Sequence, residues 1–122
     1  MSQQKYNKVK GSRFEIETSD YINESGLRSR RLPRAGKHDI GDVEVTISKD
    51  VTLVLEAKNC KTPQMAEWLR EADVEASNHE LKFGTPTIGA VITKTRGKGI
   101  GEARITMTLD QFLNLIRWNG LG

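Results

Sequence analysis

The sequence predicts a mixed α/β domain in which helices pack against a small central sheet. Two kinds of segment carry this prediction: stretches whose apolar residues alternate with a period of two, and stretches whose apolar residues follow helical spacing. They are interleaved in the order α-β-β-α-β-β-α. At 122 residues the chain is long enough for one hydrophobic core and too short for two, so a single domain over residues 1–122 is expected.

The first helix is predicted over residues 10–24. Phe14, Tyr21 and Ile22 follow helical spacing there, and Gly26 ends the segment. The helix therefore has one apolar face to bury against the sheet.

A β-hairpin is predicted next, after a basic stretch at 28–38 that is predicted to be a loop. Residues 41–47 alternate between apolar and polar side chains, whereas residues 51–59 are apolar on both faces, as in a central strand. Only three residues separate the two strands, so they are expected to pair antiparallel around a turn centred on Lys49.

The second helix is predicted to begin with Thr62 as its N-cap and Pro63 as its first residue, and to end near Asn78. Its buried stripe is predicted to contain Met65, Trp68, Leu69, Ala72 and Ala76. Two further strands, at 87–95 and 103–108, follow it and are linked by a glycine-rich turn.

The last helix is predicted to open with the capping box "TLDQ" at 108–111 and to end near Gly120. Its inward face is predicted to consist of Leu109, Phe112, Leu113 and Ile116. Trp118, close to the end of this helix, is expected either in the core or in a contact between two subunits.

The chain is mildly basic, with a net charge of +3 and a pI of about 9.1. Residues 28–37 carry five cations and no acid, and residues 94–99 carry three more. Such basic segments favour docking to a phosphate backbone, although two solvated loops would have the same composition. Cys60 is the one cysteine, which excludes an intrachain disulfide and indicates a reducing compartment. With no long apolar segment, a cytoplasmic protein without a membrane partner is expected.

Two acids are predicted to meet in the hairpin. In a turn centred on Lys49, opposed residues have numbers that sum to 98, so Asp42 faces Glu56. Side chains in this relationship have β-carbons about 5 Å apart. Two carboxylates held so close repel each other, and a divalent cation that accepts both as ligands removes the conflict.

Lys58 follows Glu56 on the same face of the strand. An ammonium beside a carboxylate-bound metal suits the hydrolysis of a phosphodiester, because the metal activates water and the lysine stabilises phosphate charge. A cross-strand salt bridge at the edge of the sheet is the alternative interpretation of the same residues.

This D…ExK hairpin, preceded by a helix that carries an acid, resembles the PD-(D/E)XK nuclease superfamily. The segments "KGSRFE" at 10–15, "RLPRAGKHDIGDVEV" at 31–45 and "VLEAKNCK" at 54–61 resemble those of archaeal-type Holliday junction resolvases. The resemblance covers about the first half of the chain. It implies a restriction-endonuclease-like fold with a mixed central sheet flanked by helices.

The resemblance also implies an activity: an Mg²⁺-dependent endonuclease, with Mn²⁺ as a substitute, that acts on branched DNA as a homodimer. Glu15, Asp42 and Glu56 would be catalytic acids that bind the metal, with the backbone carbonyl of Ala57 as a further ligand. Lys58 would be catalytic through its charge, acting on water and phosphate. Two alternatives are a superfamily nuclease for flaps, single strands or duplexes, and a non-catalytic DNA-binding module.

Ten cations are predicted to contact the DNA backbone: Lys10, Arg13, Arg30, Arg31, Arg34, Lys37, Lys61, Lys94, Arg96 and Lys98. The chain departs from the superfamily pattern at Gly41, where the name of the superfamily gives proline. Asp39 and Glu44 are further acids close to Asp42. Whether either of them assists the metal site is left open by the sequence.

Overall fold

The computed structural model describes residues 3–34 and 38–120, with side chains from residue 11 onward. It contains three α-helices and five strands in the order α1, β1, β2, β3, α2, β4, β5, α3. Their bounds are α1 Gln3–Glu24, β1 Arg28–Arg31, β2 Val43–Thr46, β3 Thr52–Lys58, α2 Met65–Phe83, β4 Thr87–Thr93, β5 Arg104–Thr106 and α3 Leu109–Trp118. The mixed α/β class predicted from the sequence is confirmed.

The five strands form one sheet in sequence order, β1-β2-β3-β4-β5. β3 and β4 are parallel, and each of the other neighbouring pairs is antiparallel. The parallel pair needs a long crossover, and α2 supplies it. Because β3 and β4 are parallel, their carboxyl ends lie at the same edge of the sheet.

The strand β1 is a correction to the sequence prediction, which has a loop at residues 28–38. Arg28–Arg31 pairs antiparallel with Val43–Thr46 and forms one outer strand of the sheet. Two of its arginines have acidic partners, since Arg30 contacts Glu44 and Arg31 contacts Glu15. A basic segment can therefore pair as an edge strand, and its charges discourage pairing with another chain.

The helix α1 begins earlier than the predicted residue 10 but ends as predicted. Gly26 has φ +92°, and its amide donates to the carbonyl of Asn23. Phe14 is fully buried and belongs to the main core, together with apolar residues of β2, β3 and β4. The predicted apolar face is therefore confirmed for Phe14 and the half-buried Ile22, whereas Tyr21 is exposed.

The helix α2 begins at Met65, not at the predicted Pro63. Gln64 is its N-cap and makes no side-chain capping bond, so Thr62 does not have the predicted role. The helix also continues past Asn78 to Phe83 and ends at Gly84, whose φ is +81°. A β-carbon on Gly89 of β4 would lie only 2.4 Å from the carbonyl oxygen of Ala72. The absence of a side chain at Gly89 thus lets α2 pack directly on the sheet.

The capping of α3 is as predicted, because the hydroxyl of Thr108 accepts a bond from the amide of Gln111 at 3.1 Å. Its predicted inward face is wrong in part. Leu109 is 70% exposed and Phe112 is also exposed, whereas Leu113 and Ile116 are half-buried. The helix packs on β4, and Leu115, which was not among the predicted inward residues, is half-buried against the main core.

The two faces of the sheet bury different side chains. On one face, Phe14 of α1 and the half-buried Leu115 of α3 pack with the inward residues of β2, β3 and β4. On the other face, α2 covers Val54 and Val91 through Ala76, Ala72 and Trp68. In the part of the chain that the structure describes, no helix is long and apolar enough to span a membrane.

Candidate metal centre

Asp42 and Glu56 are brought together by the register of β2 and β3. The observed pairs, from Thr46 with Thr52 to Val43 with Leu55, have the predicted sum of 98. One step further along, the amide of Asp42 donates to the carbonyl of Leu55 at 3.0 Å. The predicted register is therefore confirmed for residues 43–46 and 52–55, and Asp42 lies just past the last backbone pair, close to Glu56.

The carboxylate of Asp42 is crowded by other acids. Its pKa is raised to about 8 by burial, by the charge of Glu56 and, more weakly, by the charge of Glu15. The amide of Ala57 donates to Asp42 Oδ2 at 2.9 Å and has the opposite effect, but this bond does not outweigh the others. Three acids from α1, β3 and the start of β2 therefore lie close enough to influence one another. Burial and neighbouring negative charges disfavour the ionised form of such a carboxyl, and a nearby cation favours it.

Lys58 lies between two carboxylates. Its ammonium nitrogen is 3.4 Å from Glu56 Oε1 and 3.2 Å from Glu71 Oε2. Burial by itself lowers the pKa of Lys58, but the charges of Glu56 and Glu71 outweigh it and the pKa is raised. The side chain is thus a cation at neutral pH and not a proton acceptor.

Glu15 is buried on α1, and its charge affects Asp42 less than the charge of Glu56 does. Its Oε1 accepts from the guanidinium of Arg31 at 3.3 Å. Among the described residues, the acids whose carboxylate oxygens lie within 4.8 Å of one another include neither Glu15 nor Asp42. Glu15 therefore flanks the pair of Asp42 and Glu56, and its charge is shared with Arg31.

Ala57 presents its peptide to the same corner of the sheet. Its amide donates to the side chain of Asp42, past the last backbone pair between β2 and β3. The amide and carbonyl of one residue in an antiparallel strand point to the same neighbouring strand. The carbonyl of Ala57 consequently faces the side on which Asp42 lies.

Two further acids belong to this corner. Asp39, Glu56 and Glu75 each offer a carboxylate oxygen, and these oxygens all lie within 4.8 Å of one another. All three line a cavity of about 560 Å³, which Lys58 also lines. Burial and the nearby acids Glu56, Asp39 and Asp42 hold the pKa of Glu75 well above its usual range.

Glu75 is the site residue that sequence reasoning missed. It lies three residues after Ala72 and seven after Trp68, and both of these belong to the predicted buried stripe of α2. The sequence signal for Glu75 is an acid at a position where helical periodicity predicts burial. Asp39, by contrast, is one of the two further acids whose part in the metal site the sequence leaves open.

Glu44 has a different set of partners. It accepts from Arg30 at 2.9 Å and 3.1 Å, and it lies 2.6 Å from Nε2 of the buried His79. Burial alone would raise the pKa of Glu44, but the hydrogen bonds from Arg30 and His79 outweigh it and the pKa is lowered. These contacts join Glu44 to β1 and α2.

The cations predicted to contact DNA fall into distinct groups. The side chains of Lys10 and Lys37 lie outside the described residues. Arg30 and Arg31 are paired with acids, and the Lys94 ammonium is 4.0 Å from Glu17. The remaining five are exposed: Arg13, Arg34, Lys61, Arg96 and Lys98.

The chain was compared with known proteins through both family models and individual sequences. A scan against models of protein families finds no match, and a search of curated proteins finds none either. Any assignment of function therefore depends on the motif residues and on their geometry.

Proposed function

We propose that the protein is a metal-dependent endonuclease that cuts branched DNA, with the four-way junction as its substrate. The observation that carries the proposal is the closeness of Asp42 to Glu56 at the end of a buried hairpin, with the ammonium of Lys58 3.4 Å from Glu56. Two crowded carboxylates and a cation at one strand end are what metal-assisted cleavage of a phosphodiester requires.

The donor atoms at this corner fit a hard divalent cation. Asp42 and Glu56 supply carboxylate oxygens, Ala57 supplies a backbone carbonyl, and Glu15 is a further acid nearby. Mg²⁺ and Mn²⁺ take such oxygen ligands. The raised pKa of Asp42 is consistent with this assignment, because burial and the charges of Glu56 and Glu15 disfavour its ionised form, and a bound cation would favour it.

A bound Mg²⁺ or Mn²⁺ supplies Lewis-acid polarisation of the phosphate and lowers the pKa of bound water. The protein's own contribution is to hold Asp42 and Glu56 on the rigid hairpin and to place Lys58 beside them. Because Lys58 keeps its proton, its role is to stabilise negative charge that develops on the phosphate.

Contact with DNA is supported by the exposed cations next to the site. The amide of Lys94 donates to the carbonyl of Lys58 at 3.3 Å, so the basic segment 94–98 begins at the strand end that carries the candidate centre. Arg96 and Lys98 within it are exposed. These contacts would be made to the sugar–phosphate backbone, which suits recognition of DNA shape more than of sequence.

A four-way junction is resolved by two symmetric cuts, so the proposal includes a two-fold dimer. The exposed apolar side chains of β5 and α3 are the surface that favours it: Ile105, Leu109, Phe112 and Trp118. Trp118 is exposed and does not belong to the buried core, so the core position expected for it is wrong, and its contact with a second subunit stays a prediction.

Cleavage of synthetic DNA tests the proposal. A four-way junction, a flap and a linear duplex are incubated with the protein in Mg²⁺ and in EDTA. We expect the junction to be cut in Mg²⁺ only, and Asp42→Asn or Glu56→Gln to slow cutting at least about 100-fold while junction binding persists. Glu67→Gln is the matched control, since Glu67 lines the same cavity outside the acid cluster.

The rival functions give different results in the same experiment. Preferential cutting of the flap or the duplex would make the protein a nuclease with another substrate. Junction binding without cutting in either metal would indicate a non-catalytic DNA-binding module. If the protein neither binds nor cuts any of the three DNAs, the proposal as a whole is refuted.

A further inference from the structure

Glu75 has an environment that the proposed nuclease site does not explain. It is a buried acid on α2, 4% exposed, and neither of its carboxylate oxygens has a hydrogen-bond partner within the described part of the chain. An unpartnered buried carboxyl costs free energy relative to an apolar side chain of similar size. Something that binds carboxylate oxygens would remove that cost.

The surroundings of Glu75 are polar and accessible from one side. It faces the cavity of about 560 Å³, and the exposed acid Asp39 lies at the same cavity. The nearest oxygens of Glu75, Glu56 and Asp39 lie within 4.8 Å of one another. Opposite ligand oxygens on an Mg²⁺ ion are about 4.2 Å apart, twice a bond of about 2.1 Å, so small side-chain adjustments would suffice.

The three acids are held by different elements, and each is fixed locally. Asp39 accepts a bond from the amide of Gly41 at 3.0 Å, and its backbone carbonyl accepts from Asn78 of α2 at 3.0 Å. Glu56 belongs to the central strand β3, and Glu75 is on the stretch of α2 that packs tightly over Gly89. The loop, the strand and the helix thus converge with their carboxylates preorganised.

We propose that Asp39, Glu56 and Glu75 form a cation site of their own, which takes a divalent ion of the Mg²⁺ or Mn²⁺ class. The site is distinct from the position between Asp42, Glu56 and the carbonyl of Ala57, and Glu56 is common to both. It adds an acid from α2 that the D…ExK pattern does not contain.

The role of this site in cleavage rests on the proposed nuclease function, although its occupancy does not. Two cations that share a carboxylate can stabilise both the attacking and the leaving oxygen of a phosphodiester. Lys58 lines the same cavity and would face the same phosphate. Glu75 would then be a ligand of the second ion, and its loss would slow cleavage without removing Asp42 from the first.

Counting bound Mn²⁺ tests the site without any measurement of cleavage. The metal-free protein is titrated with Mn²⁺, and the free ion is followed by electron paramagnetic resonance. We expect Glu75→Gln to bind one ion fewer per chain than the unaltered protein, whereas Glu67→Gln binds as many. Asp42→Asn is expected to lose the other ion and to keep the one at Glu75.

The outcomes separate this site from the nuclease proposal. If Glu75→Gln binds Mn²⁺ with unchanged number and affinity, the Glu75 site does not exist, whatever the protein does to DNA. If Glu75→Gln loses an ion but no DNA is cut, the site stands and the nuclease proposal fails. Should Glu75→Gln not fold, Asp39→Asn removes a ligand of the same ion from an exposed position and decides the question in its place.

Discussion

The backbone amide of Ala57 donates a hydrogen bond of 2.9 Å to the carboxylate of Asp42, across the end of the hairpin. This bond favours the charged form of the acid and lowers its pKa. Burial and the neighbouring charges of Glu56 and Glu15 have the opposite effect and prevail, so that the pKa of Asp42 is about 8. The carboxylate of Asp42 therefore lacks sufficient positive charge around it.

This imbalance predicts a pH-dependent stability in the absence of metal. An acid whose pKa is raised from 3.8 in the unfolded chain to about 8 in the folded one binds its proton more tightly when folded. The stabilisation is complete below pH 3.8 and is lost as the pH rises toward 8, by at most about 1.4 kcal/mol per pH unit. Asp42→Asn should therefore gain stability relative to the unaltered protein between pH 5 and pH 8.

Urea unfolding in EDTA at the two pH values measures this difference. The exposed Asp20→Asn is the control, because it removes a carboxylate outside the cluster. Added Mn²⁺ should reverse the order at pH 8, since the ion that Asp42 binds stabilises only the protein that retains this side chain. A free-energy difference between Asp42→Asn and the unaltered protein that stays constant from pH 5 to pH 8 would contradict the expected titration.

A second prediction concerns Glu44, whose role the sequence leaves open. Glu44 bonds to His79 at 2.6 Å, and His79 is only 2% exposed. Glu44→Ala removes the acceptor of a buried ring nitrogen and the partner of Arg30, so we expect a loss of about 1–3 kcal/mol in the free energy of unfolding. Glu44→Gln, which keeps an acceptor oxygen, should lose less.

The same variants show whether Glu44 assists the metal. Because its partners are Arg30 and His79, we expect Glu44→Gln to bind Mn²⁺ with the affinity of the unaltered protein. Electron paramagnetic resonance measures this at a temperature where both proteins are folded. Weaker Mn²⁺ binding by a folded Glu44→Gln protein would instead make Glu44 part of the centre.

Local patterns predict much of this fold. Two-residue alternation shows which side chains of the hairpin share a face, and the three-residue turn sets the offset, so the approach of Asp42 to Glu56 follows from the sequence. The cap at Thr108 likewise involves residues close in the chain. Contacts of this kind do not depend on the rest of the molecule.

Contacts between distant segments account for what local patterns miss. The basic strand β1 is stabilised by Glu15 and Glu44, which precede and follow it in the chain. Helical spacing marks position 75 as buried, but the acids that surround it come from β3 and from the loop before β2. Which side chains of α3 are buried depends on its packing against β4, a separate segment of the chain. None of these partners is visible in a local window.

A third prediction concerns the basic segment 94–98. If Arg96 and Lys98 each neutralise a phosphate, the double Arg96→Ala/Lys98→Ala variant should weaken junction binding. The plot of the logarithm of the binding constant against the logarithm of the salt concentration should also become less steep, by about 1.8. Fluorescence anisotropy in EDTA at several salt concentrations measures this slope. Lys49→Ala is the matched control, since this exposed cation lies in the turn at the opposite end of β3. An equal change in the salt dependence of junction binding in both variants would count against a local DNA contact.

The last prediction uses the departure from the superfamily pattern at Gly41. Gly41 has φ +105°, whereas proline is restricted to about −65°, so the superfamily's proline cannot adopt this conformation. A β-carbon at this position would also lie 3.2 Å from that of Val54. Gly41→Ala should cost about 1–3 kcal/mol in the free energy of unfolding, and Gly41→Pro should cost more.

Because Gly41 is adjacent to Asp42, and its amide bonds to Asp39, a displaced backbone would disturb both proposed cation positions. We therefore expect Gly41→Pro to weaken Mn²⁺ binding as well as to lower stability. Gly99→Ala is the control, since Gly99 has φ −71° and nothing within 4 Å of its added β-carbon. A Gly41→Pro protein as stable as the Gly99→Ala protein would mean that the entry into β2 is built differently, with a backbone that accepts the superfamily's residue.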